Sequence, residues 1–215
     1  MNNVKFNRKN LLLYAVTDRA WTGRQTLLEQ IEDALIGGVT MIQLREKGLA
    51  EPDFTAEAIQ VRDLCRRYGV PLIINDSVNV ALKSGADGVH VGIEDAPVAE
   101  IRKLAGPDFI IGATAKTVAQ AAAAQAAGAD YLGVGAVFPS PTKTNAIRIT
   151  AAQLRAICTA VSIPAAAIGG ITFSNMPQLR GGGMAGFAVV SAVFAAADIR
   201  SGVRALKSRA EEIIL

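Results

Sequence analysis

Gly85-Ala86-Asp87-Gly88-Val89-His90-Val91 and, further along, Gly128-Ala129-Asp130-Tyr131-Leu132-Gly133-Val134 are two copies of one construction. A glycine ends a helix as a left-handed cap, a short turn follows, and an apolar run begins. Gly38-Val39-Thr40 and Gly183-Met184-Ala185 repeat the entry ahead of two more runs. These four runs are the even-numbered members of a set of eight, at residues 11–16, 41–44, 72–74, 88–91, 109–111, 131–134, 165–168 and 187–190. The runs favour Val, Ile and Leu and lack strict alternation, so they read as parallel strands buried on both faces. The third and seventh share another entry, Val70-Pro71 and Ile163-Pro164, where proline opens a strand without losing a ladder bond. Helical patterns fill the gaps, at residues 26–36, 53–68, 78–84, 98–104, 118–127, 151–160, 175–180 and 199–213. Strict alternation predicts right-handed βαβ units, and a quarter repeat across eight of them predicts closure. The expected fold is α/β: a single (β/α)8 TIM barrel, with residues 1–215 as one catalytic domain.

Composition agrees with this and narrows the partners. The chain has 215 residues, 51% of them hydrophobic and 19% charged, enough to bury a large core. The apolar run at 11–16 is too short for a signal segment or a membrane span, so a cytoplasmic location is expected. The net charge of +3 is mild and the basic residues form no stripe, which argues against nucleic acid and membrane and leaves small anionic molecules. Assembly into a homo-oligomer is left open. Cys65 and Cys158 sit in amphipathic helical patterns without metal-ligand or disulfide spacing, and both are expected to be small apolar fillers. The one histidine, His90, lies mid-strand between Val89 and Val91, where a hydrogen-bonded structural role is expected. With no serine or cysteine beside a base, nucleophilic triads are excluded.

Polar residues gather at the C-terminal ends of the runs, the catalytic face of a parallel barrel. Gln43, Arg45 and Lys47 alternate with Leu44 and Glu46, so the first three share a face toward the axis and mouth. Two inward cations require an anion; either a bound ligand or Asp18 and Glu46 would supply it. Asn75-Asp76 follows the third strand and Asp95 the fourth. Two such carboxylates could share a Mg2+ ion, which keeps its other positions for water and phosphate oxygens. Each could instead cap a helix. Ser140, Pro141, Thr142 and Lys143 offer hydroxyls and an ammonium on a proline-stiffened loop, suited to phosphate. Gly169-Gly170 after the seventh strand, and Val190-Ser191 after the eighth, offer backbone N–H groups where phosphates often bind in this fold.

Tyr14-Ala15-Val16-Thr17-Asp18, the 43–47 stretch, Asn75-Asp76, residues 86–95, residues 139–143 and Ala167-Ile168-Gly169-Gly170-Ile171 together resemble the thiamine phosphate synthase family, in order along nearly the whole chain. The resemblance implies a Mg2+-dependent transferase. It would join the hydroxymethylpyrimidine group of a diphosphate ester to thiazole phosphate, giving thiamine phosphate and pyrophosphate by a dissociative displacement. It implies that Gln43, Leu44, Arg45, Glu46, Lys47 and Asn75 hold the pyrimidine diphosphate and that Asp76 and Asp95 hold the metal. Thr114 and Lys143 would touch the diphosphate, with Arg45, Lys47 and Lys143 as the catalytic cations. Ser140, Pro141 and Thr142 would line the thiazole phosphate side, and Gly170, Val190 and Ser191 would add backbone. The rival readings are a related thiazole tautomerase, for which a histidine would be expected where Thr114-Ala115-Lys116-Thr117 stands, and a non-catalytic ligand-binding barrel.

Overall fold

A computed structural model describes residues 6–140 and 147–215. Eight strands, β1 (Leu13–Val16), β2 (Met41–Leu44), β3 (Leu72–Asn75), β4 (Gly88–Val91), β5 (Ile110–Ala115), β6 (Tyr131–Gly135), β7 (Ala165–Ile168) and β8 (Gly186–Val189), follow one another around a closed barrel. Every neighbouring pair is parallel, and Leu13 facing Phe187 closes the ring between β1 and β8. Among the described residues eight α-helices accompany them: α1 (Leu27–Gly37), α2 (Glu51–Arg67), α3 (Val78–Ser84), α4 (Val98–Ala105), α5 (Val118–Ala126), α6 (Ala151–Ala160), α7 (Ser191–Phe194) and α8 (Ile199–Ile214). The expected TIM barrel is present. Reciprocal Ser/Thr-type capping starts α1, α5 and α6, through Thr26 with Glu29, Thr117 with Gln120 and Thr150 with Gln153.

The even-strand repeat has a further physical basis. All four glycines adopt positive φ, as at Gly38 (103°) and Gly85 (68°). The residue just before β2, β4 and β6 then turns its side chain onto the start of the preceding strand. Thr40 Oγ1 accepts from Leu13 N at 2.9 Å, Asp87 Oδ2 from Leu72 N at 2.8 Å, and Asp130 Oδ2 from Ile111 N at 2.7 Å. Before β8 the equivalent residue is Ala185, and only the backbone bond from Ala185 N to Ala165 O remains, at 2.7 Å.

Two elements depart from the sequence reading. Residues 175–180 form no α-helix but a 3-10 turn, Met176–Leu179, because Pro177 and the following Gly181-Gly182-Gly183 leave room for a single turn. The chain instead makes α7 directly after β8, in residues 191–194, to which the sequence reading gave no element. At the other end Leu11 closes a 3-10 turn, Arg8–Leu11, before β1 starts at Leu13.

Two apolar layers result. Leu44, Ile74, Val89, Ile111 and Leu132 point outward to the helices. Tyr14, Met41, Ile73, Ile110, Tyr131, Ala166 and Ala188 fill the interior. Phe6 closes the layer below by stacking on Tyr131 at 5.6 Å between ring centroids. The interior is therefore packed up to the level of Gln43, and ligand can enter only above it.

Candidate active site

At the C-terminal face, β2 presents Gln43 and then Arg45 and Lys47 just beyond its end, as alternation requires. Arg45 Nη1 lies 3.1 Å from Asp18 Oδ2 and Lys47 Nζ lies 2.6 Å from Asp76 Oδ2, so each cation faces a carboxylate at the mouth. Both side chains remain open to solvent, Lys47 more so. Asp18 and Arg19 after β1, with residues 45–49 after β2, line a hollow of about 410 Å3. Leu44 and Glu46, expected in the same binding set, orient differently from Gln43, Arg45 and Lys47. Leu44 is wholly buried among the outer apolar layer. Glu46 points toward α2, its carboxylate held at 2.8 Å by Arg19 Nε while Arg19 Nη2 reaches Glu57 of α2 at 2.6 Å. Alternation carries the Leu44 side chain outward, whereas Glu46, beyond the end of β2, also borders the hollow.

Asp76 and Asp95 meet at the ends of β3 and β4. Neither caps a helix: Ser77 caps α3, and the turn into α4 has no side-chain cap. Asp76 has φ of 60°, a left-handed backbone costing about 1–2 kcal/mol for a residue with a Cβ. Asn75 Nδ2 donates to Asp76 Oδ1 at 2.8 Å, and Gly92 N donates to Asp95 Oδ2 at 2.6 Å. Burial raises the Asp76 pKa, Lys47 opposes this, and the neighbouring Asp95 carboxylate raises it further. These two carboxylates are the described residues at the mouth that could hold a cation. Among the described residues no three His, Cys, Asp or Glu side chains gather. Two carboxylates suit Mg2+, which retains water and phosphate oxygens, better than a site built wholly from protein ligands.

Thr114 lies inside β5, which runs longer than expected, and faces the mouth from across the barrel. After β6, Val137 N and Phe138 N donate to Ile168 O and Gly169 O, both at 3.0 Å, anchoring the approach to Ser140 on the end of β7. Gly170 is required there: a Cβ would fall 2.1 Å from Pro139 O. Pro141, Thr142 and Lys143 lie outside the described residues. Val190 and Ser191 mark the change from β8 to α7. A larger cavity of about 640 Å3 lies elsewhere, among Trp21, Gln30, Asp33 and Arg200, and contains none of these residues.

The sequence reading gave no role to Tyr131, and Tyr14 entered only as part of a motif. Both are buried inside the barrel with their hydroxyls 2.8 Å apart. The available signal was a tyrosine at an inward position of an apolar strand, since a buried hydroxyl needs a partner. His90 is buried and hydrogen-bonded on both ring nitrogens, consistent with the structural role expected of it.

The fold and mouth define a (β/α)8 barrel with clustered cations and a facing pair of carboxylates at the C-terminal face. Comparison with known proteins gives the family. The model of thiamine monophosphate synthase matches residues 13–193. The chain is 47% identical over 194 residues to a thiamine-phosphate synthase of Ruminiclostridium cellulolyticum, covering 90% of this chain and 92% of that protein. It is 44% identical to thiamine-phosphate synthase 2 of Streptococcus pneumoniae, covering 97% and 99%. The solved thiamine phosphate pyrophosphorylase of Pyrococcus furiosus superposes with a TM-score of 0.89 at 38% identity, covering 97% and 99%. The chain belongs to the thiamine monophosphate synthase family.

Proposed function

We propose that this chain forms thiamine phosphate by Mg2+-dependent transfer of the hydroxymethylpyrimidine group from its diphosphate ester to thiazole phosphate, releasing pyrophosphate. Family membership supports the transferase reading. The observation that supports the dissociative route is the charge at the mouth: Arg45, Lys47 and two facing carboxylates, with the only histidine buried out of reach. Ionisation of the C–O bond leaves the electron pair on the departing diphosphate and gives a pyrimidine-stabilised cation, which the thiazole nitrogen captures. That chemistry needs stabilised anionic oxygens and no general base. Asp76 and Asp95 would hold Mg2+, which when bound neutralises diphosphate charge. Lys47 and Arg45, both at this mouth, would contact the diphosphate oxygens in this reading. Lys143 adds a third charge in this reading, and Ser140, Thr142, Gly170, Val190 and Ser191 receive the thiazole phosphate. Among the described residues no helix is long and apolar enough to cross a membrane, and we place the reaction in the cytoplasm.

The deciding assay mixes purified protein with both substrates and Mg2+. Pyrophosphate and thiamine phosphate should appear in equal amounts, only when both substrates are present, and excess chelator should stop the reaction. Thiazole isomerisation without pyrophosphate would instead identify a tautomerase, and full turnover in chelator would remove the metal from the scheme.

A further inference from the structure

Five side chains from β1, β2, β4, β5 and β6 form one hydrogen-bonded chain across the barrel. Gln43 Nε2 bonds the Tyr14 hydroxyl. The Tyr14 and Tyr131 hydroxyls are 2.8 Å apart, Tyr131 Oη is 3.1 Å from His90 Nδ1, and His90 Nε2 is 3.1 Å from Thr114 Oγ1. Gln43, Tyr14, Tyr131 and His90 are buried and Thr114 is partly exposed, and the resemblance assigns only the two ends, Gln43 and Thr114, to substrate. The neighbouring strands are kept bare for these rings. A Cβ on Gly112 would fall 2.1 Å from Tyr131 Cζ and 2.5 Å from His90 Nδ1, and one on Gly133 would fall 3.0 Å from His90 Cε1.

With no buried hydroxyl hydrogen left unpaired, which would carry the full desolvation penalty of that group, this chain has two directions. A hydroxyl gives one hydrogen, a neutral imidazole gives at one nitrogen and accepts at the other, and an amide gives only from nitrogen. His90 is buried, with hydroxyls rather than carboxylates against both ring nitrogens, so the ring is taken as neutral. In the first direction Gln43 donates to Tyr14, Tyr14 to Tyr131, Tyr131 to His90 Nδ1, and His90 Nε2–H to Thr114. Thr114 then has its own hydrogen free for the mouth, and Gln43 keeps Oε1, which accepts from no described residue. In the second, every link reverses together. Thr114 spends its hydrogen on His90 and offers only lone pairs, and Gln43 must turn its amide to offer NH2. An anionic oxygen at Thr114 needs a donor, so it admits the first direction alone.

We propose that Tyr14, Tyr131 and His90 are positioning residues that couple the two ends of the substrate site: an anionic oxygen at Thr114 fixes the direction of the chain, which obliges Gln43 to present its carbonyl oxygen and so selects a pyrimidine bearing an exocyclic amine over one bearing an oxo group. The selection rests on the reading that a pyrimidine diphosphate ester occupies this mouth; the coupling itself does not.

Two measurements test it. The first compares kcat/KM for the amino ester and its oxo analogue in the unaltered enzyme and in Tyr131→Phe, which breaks the chain at its centre. The preference for the amine should shrink about tenfold, the scale of one buried hydrogen bond. A merely structural loss would slow both substrates alike, and an unchanged ratio would overturn the proposal. Tyr14→Phe breaks the adjacent link and answers the same question if Tyr131→Phe does not fold. The second uses 15N-histidine, since His90 is the only histidine and gives one imidazole. With inorganic pyrophosphate and Mg2+ bound, the proton should sit on Nε2 with Nδ1 bare; a proton on Nδ1 overturns the coupling. An unaltered enzyme that releases no pyrophosphate would instead defeat the functional reading, and the tautomer would still judge the coupling.

Discussion

At the scale of single residues, the cations carry the clearest consequence. Arg45 and Lys47 face Asp18 and Asp76 at a solvent-open mouth, so their pairing contributes little to stability. Arg45→Ala and Lys47→Ala should each lower turnover on the order of 10²-fold, as loss of a preorganised group at a developing anion does. Melting temperature should change little. Unaltered kinetics, or a protein that no longer folds, would make these side chains structural. Their position was legible because strand alternation fixes direction, and the same rule shows why Leu44 and Glu46 turn to the helices. The hydrogen-bonded chain was not legible in the same way. Tyr14 and Tyr131 are separated by most of the sequence, and only closure of the barrel brings their hydroxyls together.

At the scale of elements, the turns entering β2, β4 and β6 show what the repeated sequence pattern does. Glycine lets the helix end, and the following Thr40, Asp87 or Asp130 supplies an acceptor for an otherwise unpaired strand N–H. Asp87 is the most buried of the two aspartates, with 4% of its surface exposed, so water cannot replace it easily. Asp87→Ala should cost about 1–3 kcal/mol, the penalty for leaving a buried N–H unsatisfied, read from denaturant midpoints. Asp87→Asn retains an acceptor and should recover part of the loss. Equal midpoints for all three proteins would show that the Leu72 bond does not matter to stability. The glycines and the strand positions were readable because φ and apolar runs are local properties. The 175–180 segment was misread because its length resembled a helix, while Pro177 and the triple glycine after it confine it to one turn.

At the scale of the whole molecule, closure was readable from eight alternating units, and its physical effect is that the sheet has no edge from which to fray. The two cysteines report on that property. Both were expected to be buried apolar fillers; Cys65 is buried in α2, but Cys158 of α6 is only half-buried. Burial raises the pKa of both thiols, Cys158 to about 11 and Cys65 further. The thiolate is the reacting form, so at pH 8 a disulfide reagent should label Cys158 slowly and Cys65 more slowly still. Cys65 packs with Leu64, Val61 and the outward side chains of β2 and β3, and no strand edge offers a partial opening beside it. Its labelling should therefore follow global unfolding as denaturant is raised, with the same midpoint as loss of far-ultraviolet circular dichroism. Cys158 should react before that midpoint. Rapid modification of Cys65 while the dichroism is still native would mean that α2 leaves the barrel as a separate unit, and that closure of the strands does not bind the helical layer into one cooperative transition.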